Sequence, residues 1–110
     1  METKAHSNTT TIAILPQRVD SVTAVEIEKE LLGLLKPDIT TIVCNLSGTE
    51  YVSSAGLRVL LAVAKSLRKS NRKLILCAPT NYVSEILETA GLSHVLEICE
   101  TEAAALQKLA

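Results

Sequence analysis

At 110 residues, the chain has the length of one domain and too little for two independent cores. Apolar residues make up 47% of it and are almost all aliphatic; Phe and Trp are absent, and Tyr51 and Tyr82 are the aromatics, which argues against stacking on nucleic-acid bases. A net charge of −1 supplies no overall field for nucleic acid or anionic lipid, so recognition by charge rests on local patches.

The opening stretch, Met1 to Thr11, is polar and lacks the apolar run of a secretory leader. A short first strand is predicted near Thr3 to His6, turning at Ser7-Asn8 into a β-branched strand over Thr9 to Leu15. Pro16 and Gln17 end that run. Asp20, Ser21 and Thr23 offer capping oxygens to a helix running to about Lys36, with Ala24, Ile27, Leu31, Leu34 and Leu35 at helical spacing as its core face. Pro37-Asp38 stops it. Thr40 to Leu46 reads as a strand buried on both faces. After the polar turn Ser47 to Glu50 comes Tyr51-Val52-Ser53-Ser54-Ala55-Gly56-Leu57, which enters the clearest helix of the chain, ending near Ser70. Leu57, Leu60, Leu61, Ala64 and Leu67 are its expected apolar stripe, with Arg58, Lys65 and Lys69 on another face.

Asn71-Arg72 turns the chain into a strand over Lys73 to Cys77, and Ala78-Pro79-Thr80 leads to a third helix facing the core through Ile86, Leu87 and Ala90, with Gly91 as its C-terminal cap. A short strand over Val95 to Ile98 and a last helix over Glu100 to Leu109 follow, the helix capped by Thr101 with Glu102 in its first turn. The alternation predicts an α/β domain with a largely parallel or mixed sheet. No apolar run approaches the roughly 20 residues of a membrane span, so a soluble, cytoplasmic protein is expected. Cys44, Cys77 and Cys99 are widely spaced and sit in apolar stretches, a pattern of buried thiols in a reducing compartment, unsuited to a metal site or a disulfide framework.

An α/β sheet invites a nucleotide site, but there is no G-x-G-x-x-G and no G-x-x-x-x-G-K-[ST], and Gly33, Gly48, Gly56 and Gly91 stand alone. No cofactor is expected. His6 and His94 are far apart in sequence and complete no Ser/His/Asp assembly. Ser54-x-Gly56 is half of a nucleophile elbow, with Val52 where the first glycine belongs. A hydrolase using Ser54 would therefore lack a base. Two accounts of the Ser53-Ser54 junction remain: a serine that caps the helix, or a hydroxyl displayed at the edge of the sheet as a place for a phosphate.

The runs Ile42 to Ser47 and Tyr51 to Leu61, the entry Arg18-Val19-Asp20, the strand Lys73 to Cys77 and the segment Val83 to Leu92 together resemble the STAS domain, and more narrowly the bacterial anti-sigma factor antagonists, from about Thr9 onward. The resemblance implies a single domain over residues 1–110, with 1–8 a short first strand or disordered, a mixed sheet of four to five strands and about four helices. It implies phosphorylation of the serine three residues before Leu57, which is Ser54, with Ser53 as the alternative site. It also implies a non-catalytic role in transcription regulation by partner switching. The unphosphorylated protein binds an anti-sigma factor that is also a serine kinase and so frees the sigma factor; phosphorylation releases the antagonist, and a PP2C-type phosphatase restores it. The docking residues implied are Asp20, Ser21, Ser53, Ser54, Gly56 and Arg58. Ser53 departs from the Asp many members carry, and Gln17 from their Gly. The same resemblance admits a STAS subunit of a lipid-transport ABC system, or a partner-switching regulator of a target other than a sigma factor. The free protein is expected to be a monomer.

Overall fold

The computed structural model describes residues 1–109. Its strands and helices run in the order β1 (Glu2–Ala5), β2 (Thr10–Ile14), β3 (Arg18–Val19), α1 (Ala24–Gly33), β4 (Thr41–Asn45), β5 (Tyr51–Val52), α2 (Ser54–Lys69), β6 (Lys73–Cys77), α3 (Asn81–Thr89), β7 (Glu97–Cys99) and α4 (Glu102–Gln107). Five strands form one mixed sheet in the order β1-β2-β4-β6-β7. β1 is antiparallel to β2, and the remaining pairs are parallel.

Strand periodicity divides the sheet's side chains between two cores. Ile12, Val43 and Ile75 stand in one register row and pack, with Cys77 and Cys99, against Ala105 of α4. Ala13, Cys44 and Leu76 stand in the next row, on the opposite face, with Leu31 of α1, Leu60 and Leu67 of α2, and Leu87 of α3. All three cysteines are buried with free thiols. Burial pushes the Cys44 thiol far up, and burial with the nearby Glu102 charge raises Cys77 to about 11, so neither forms thiolate readily at neutral pH.

Several element edges differ from expectation, each for a local reason. α1 stops at Gly33, not Lys36, because Leu34 and Leu35 donate to carbonyls three residues back and tighten the end. The buried stripe of α2 is Gly56, Val59, Leu60, Val63, Ala64 and Leu67; Leu57 and Leu61, expected in the core, are only half-buried at its margin. α3 buries Val83 and Leu87, with Ile86 half-buried and Ala90 exposed beyond its last turn. A 3-10 turn at Leu92–His94 delays the last strand to Glu97, leaving Val95 outside it. Two of the expected caps form: Thr101 accepts from the Ala104 amide at 3.0 Å, and Gly91 follows α3 in the left-handed region at φ 76°; Thr23, the N-cap of α1, makes no side-chain cap bond.

Candidate functional site

The short strands β3 and β5 lie outside the main sheet and pair in parallel as a separate ribbon, Arg18 opposite Tyr51 and Val19 opposite Val52. The ribbon is anchored from below: the fully buried Thr49 donates its hydroxyl to the Pro16 carbonyl at 2.8 Å. The Glu50 amide donates to the Gln17 carbonyl at 2.7 Å, and the side chains of Gln17 and Glu50 also hydrogen-bond. Arg18 stacks its guanidinium 4.9 Å from the centre of the Tyr51 ring. At the far end the Ser53 amide donates to the Val19 carbonyl at 2.9 Å. The ribbon thus brings the Asp20 loop beside the start of α2, although more than thirty residues separate them in sequence.

Asp20 is committed to its own loop. Its carboxylate accepts from the Val22 and Thr23 amides at 3.0 and 3.2 Å and from Arg18 Nε at 3.0 Å. The Arg18 hydrogen bond, joined by those two amides, holds its acid below the ordinary carboxylate value. The two amides precede α1, so Asp20 satisfies donors that the helix cannot. Ser21, next to it, is exposed.

The two adjacent serines play different parts. Ser53 is the N-cap of α2, with extended backbone and a hydroxyl that accepts from the Gly56 amide at 3.2 Å. Ser54 is the first helical residue, is exposed, and its hydroxyl has no hydrogen-bond partner among the described residues. Ser53→Ala is therefore expected to cost about 1 kcal/mol of stability, the usual worth of such a cap, while leaving the Ser54 hydroxyl in place. Urea unfolding checks this; an unchanged midpoint would refute the capping role.

Gly56, expected at the docking surface, is buried. A Cβ there would stand 2.2 Å from the Val19 carbonyl oxygen and 2.9 Å from its carbonyl carbon. The absence of a side chain is what lets α2 lie against the ribbon. Arg58 is exposed one turn beyond Ser54, and Lys65 and Lys69 continue the same exposed face.

Apolar surface on the neighbouring elements escaped sequence reading. Val22 is 87% and Val25 69% exposed at the start of α1, and their displacement from the Ala24/Ile27/Leu31 stripe was the available signal. Beside α2, Leu57 lines a shallow groove of about 370 Å³ with Tyr82, Glu85 and Ile86 of α3.

These features define a class: a small mixed-sheet α/β domain whose distinctive locus is a serine displayed where a ribbon enters a helix. The STAS domain family profile matches residues 1–105. The chain belongs to the STAS domain family. It is 36% identical over 94 residues to the "Putative anti-sigma factor antagonist BtrV" of Bordetella bronchiseptica, covering 86% of this chain and 81% of that protein. The structural likeness extends further at lower identity. The anti-sigma factor antagonist SpoIIAA in its unphosphorylated form superposes with a TM-score of 0.81 at 20% identity, covering 98% of this chain and 94% of that one. A sulfate transporter family protein from Wolinella succinogenes gives 0.83 at 15%, covering 96% and 88%, so the fold is shared by proteins of different roles. Among the described residues, no helix is long and apolar enough to cross a membrane.

Proposed function

We propose that this chain is a non-catalytic anti-sigma factor antagonist that works by phosphorylation-controlled partner switching, with Ser54 as the switch. The unphosphorylated protein docks on an anti-sigma factor with serine kinase activity and frees its sigma factor. Phosphorylation of Ser54 ends the complex, and a PP2C-type phosphatase resets it. ATP belongs to the kinase. The domain spans residues 1–110, acts in the cytoplasm and is a monomer when free.

One observation carries this reading: of two adjacent serines, Ser53 uses its hydroxyl for capping, whereas Ser54 presents an exposed hydroxyl with no hydrogen-bond partner among the described residues. A kinase needs such a group. A phosphate on it adds about 1.5 to 2 negative charges and three acceptor oxygens. The start of α2 tolerates that charge, worth about 0.3–1 kcal/mol at a helix N-terminus, so the fold survives modification. The penalty falls on whatever covers Ser54, through desolvation and lost fit. That SpoIIAA is known in both unphosphorylated and phosphorylated forms and that the BtrV relative bears the antagonist name support the assignment. Ser21 and Arg58, both exposed, serve with Ser54 as direct contacts; Asp20 shapes the loop, and Gly56 acts from beneath by seating the helix.

Incubation with the cognate kinase and ATP, followed by peptide mass spectrometry, is expected to place one phosphate on Ser54. Phosphate confined to Ser53, or none on either serine, would overturn the proposal.

A further inference from the structure

We infer that Arg58 is the internal counter-ion of phosphorylated Ser54, so that modification withdraws this guanidinium from the docking face while adding charge to it. The inference rests on Ser54 being the phosphoacceptor. Both residues lie on the unbroken helix α2, four positions apart, and both are exposed. Side chains at that spacing have Cβ atoms about 5–6 Å apart, within span of a phosphate on one side and an arginine on the other.

Direction favours the pair. Helical side chains lean toward the N-terminus, so Arg58 covers the turn that begins at Ser54. An acid placed four residues before a base is also the better order for such a pair. The guanidinium is uncommitted: α2 contains no acidic residue, and among the described residues Arg58 joins no ion pair with an acid of α1 or α3. Arg18, the other guanidinium beside the junction, is held by Asp20 and stacked on Tyr51. A planar donor fork meeting three phosphate oxygens forms charge-assisted, commonly bidentate hydrogen bonds. Before modification Arg58 is free to meet an acidic group of the partner; afterwards the phosphate occupies it.

The test installs phosphoserine at position 54 during translation, so that no kinase is needed and the fate of the natural phosphorylation is a separate question. Titration of the ³¹P resonance then reads the second ionisation of the phosphate in the parent, Arg58→Gln, Arg58→Lys and Lys65→Gln backgrounds. Losing the pair in Arg58→Gln is expected to raise that pKa by about 0.3 of a pH unit, with Arg58→Lys keeping part of the effect and Lys65→Gln leaving it unchanged. No rise in Arg58→Gln, or an equal rise in Lys65→Gln, would overturn the inference. Phosphate found elsewhere by mass spectrometry would instead defeat the choice of Ser54.

Discussion

Gly56→Ala is expected to destabilise the domain by about 2 kcal/mol or more, the range of overpacked sites against unyielding neighbours. Two effects oppose each other here. Ala favours a helix over Gly by about 1 kcal/mol, so at an unobstructed position the substitution would stabilise. At Gly56 the new methyl would stand 2.2 Å from the backbone oxygen of Val19. Because that obstacle is backbone, no rotamer change relieves the clash. Either α2 lifts away, opening the packing of Val59 and Leu60, or the ribbon moves and loses the bond from the Ser53 amide to the same carbonyl. The clash should win. A fall in melting temperature of roughly 10 °C, consistent with the usual conversion for a domain of this size, would be read by calorimetry. A variant as stable as the parent would show that the helix has room to spare.

On the proposed switch, Ser54→Ala should keep binding the anti-sigma factor in the presence of ATP, whereas the parent should be released. Removing one exposed hydroxyl costs the interface little, but it deprives the kinase of its acceptor. Ser54→Asp should weaken binding without ATP, by about tenfold, or roughly 1.4 kcal/mol. A carboxylate carries less charge than a phosphate and stands closer to the helix, so it should reproduce only part of the repulsion and desolvation cost. Isothermal titration calorimetry with the purified partner measures both. Equal affinity for the parent and Ser54→Asp, together with release of Ser54→Ala by ATP, would remove Ser54 from the mechanism.

The architecture was legible where pattern runs long enough to carry a period. The main β-strands came from β-branched runs such as Thr9 to Leu15, and the start of α2 from the serine pair before an amphipathic stretch. The β3–β5 ribbon was not legible, because two residues such as Arg18-Val19 hold no periodicity and the pairing is created by a distant partner. The expected stripe of α2 is right at Leu60, Ala64 and Leu67, but following the leucines takes in Leu57 and Leu61 and misses Val59 and Val63. In the fold, Gly56, Val59 and Val63 turn inward because the ribbon demands a residue without a side chain at the point of contact, and Leu57 and Leu61 rotate to the margins. At the candidate site, the motif brought both serines to notice, but only the hydrogen bond from the Gly56 amide assigns capping to Ser53 and leaves Ser54 unencumbered. The exposure of Val22 and Val25 was legible in principle, because both fall off the Ala24/Ile27/Leu31 stripe of α1.

The ribbon is its own small ladder, separate from the five-stranded sheet. Substitutions at Gln17, Arg18, Glu50 or Ser21 alter the ribbon and its loops, the surface proposed for docking, without touching any rung that links β2, β4 and β6. Descendants of such a domain can therefore change their allegiance by drift in a handful of loop positions, while the machinery of folding is inherited intact.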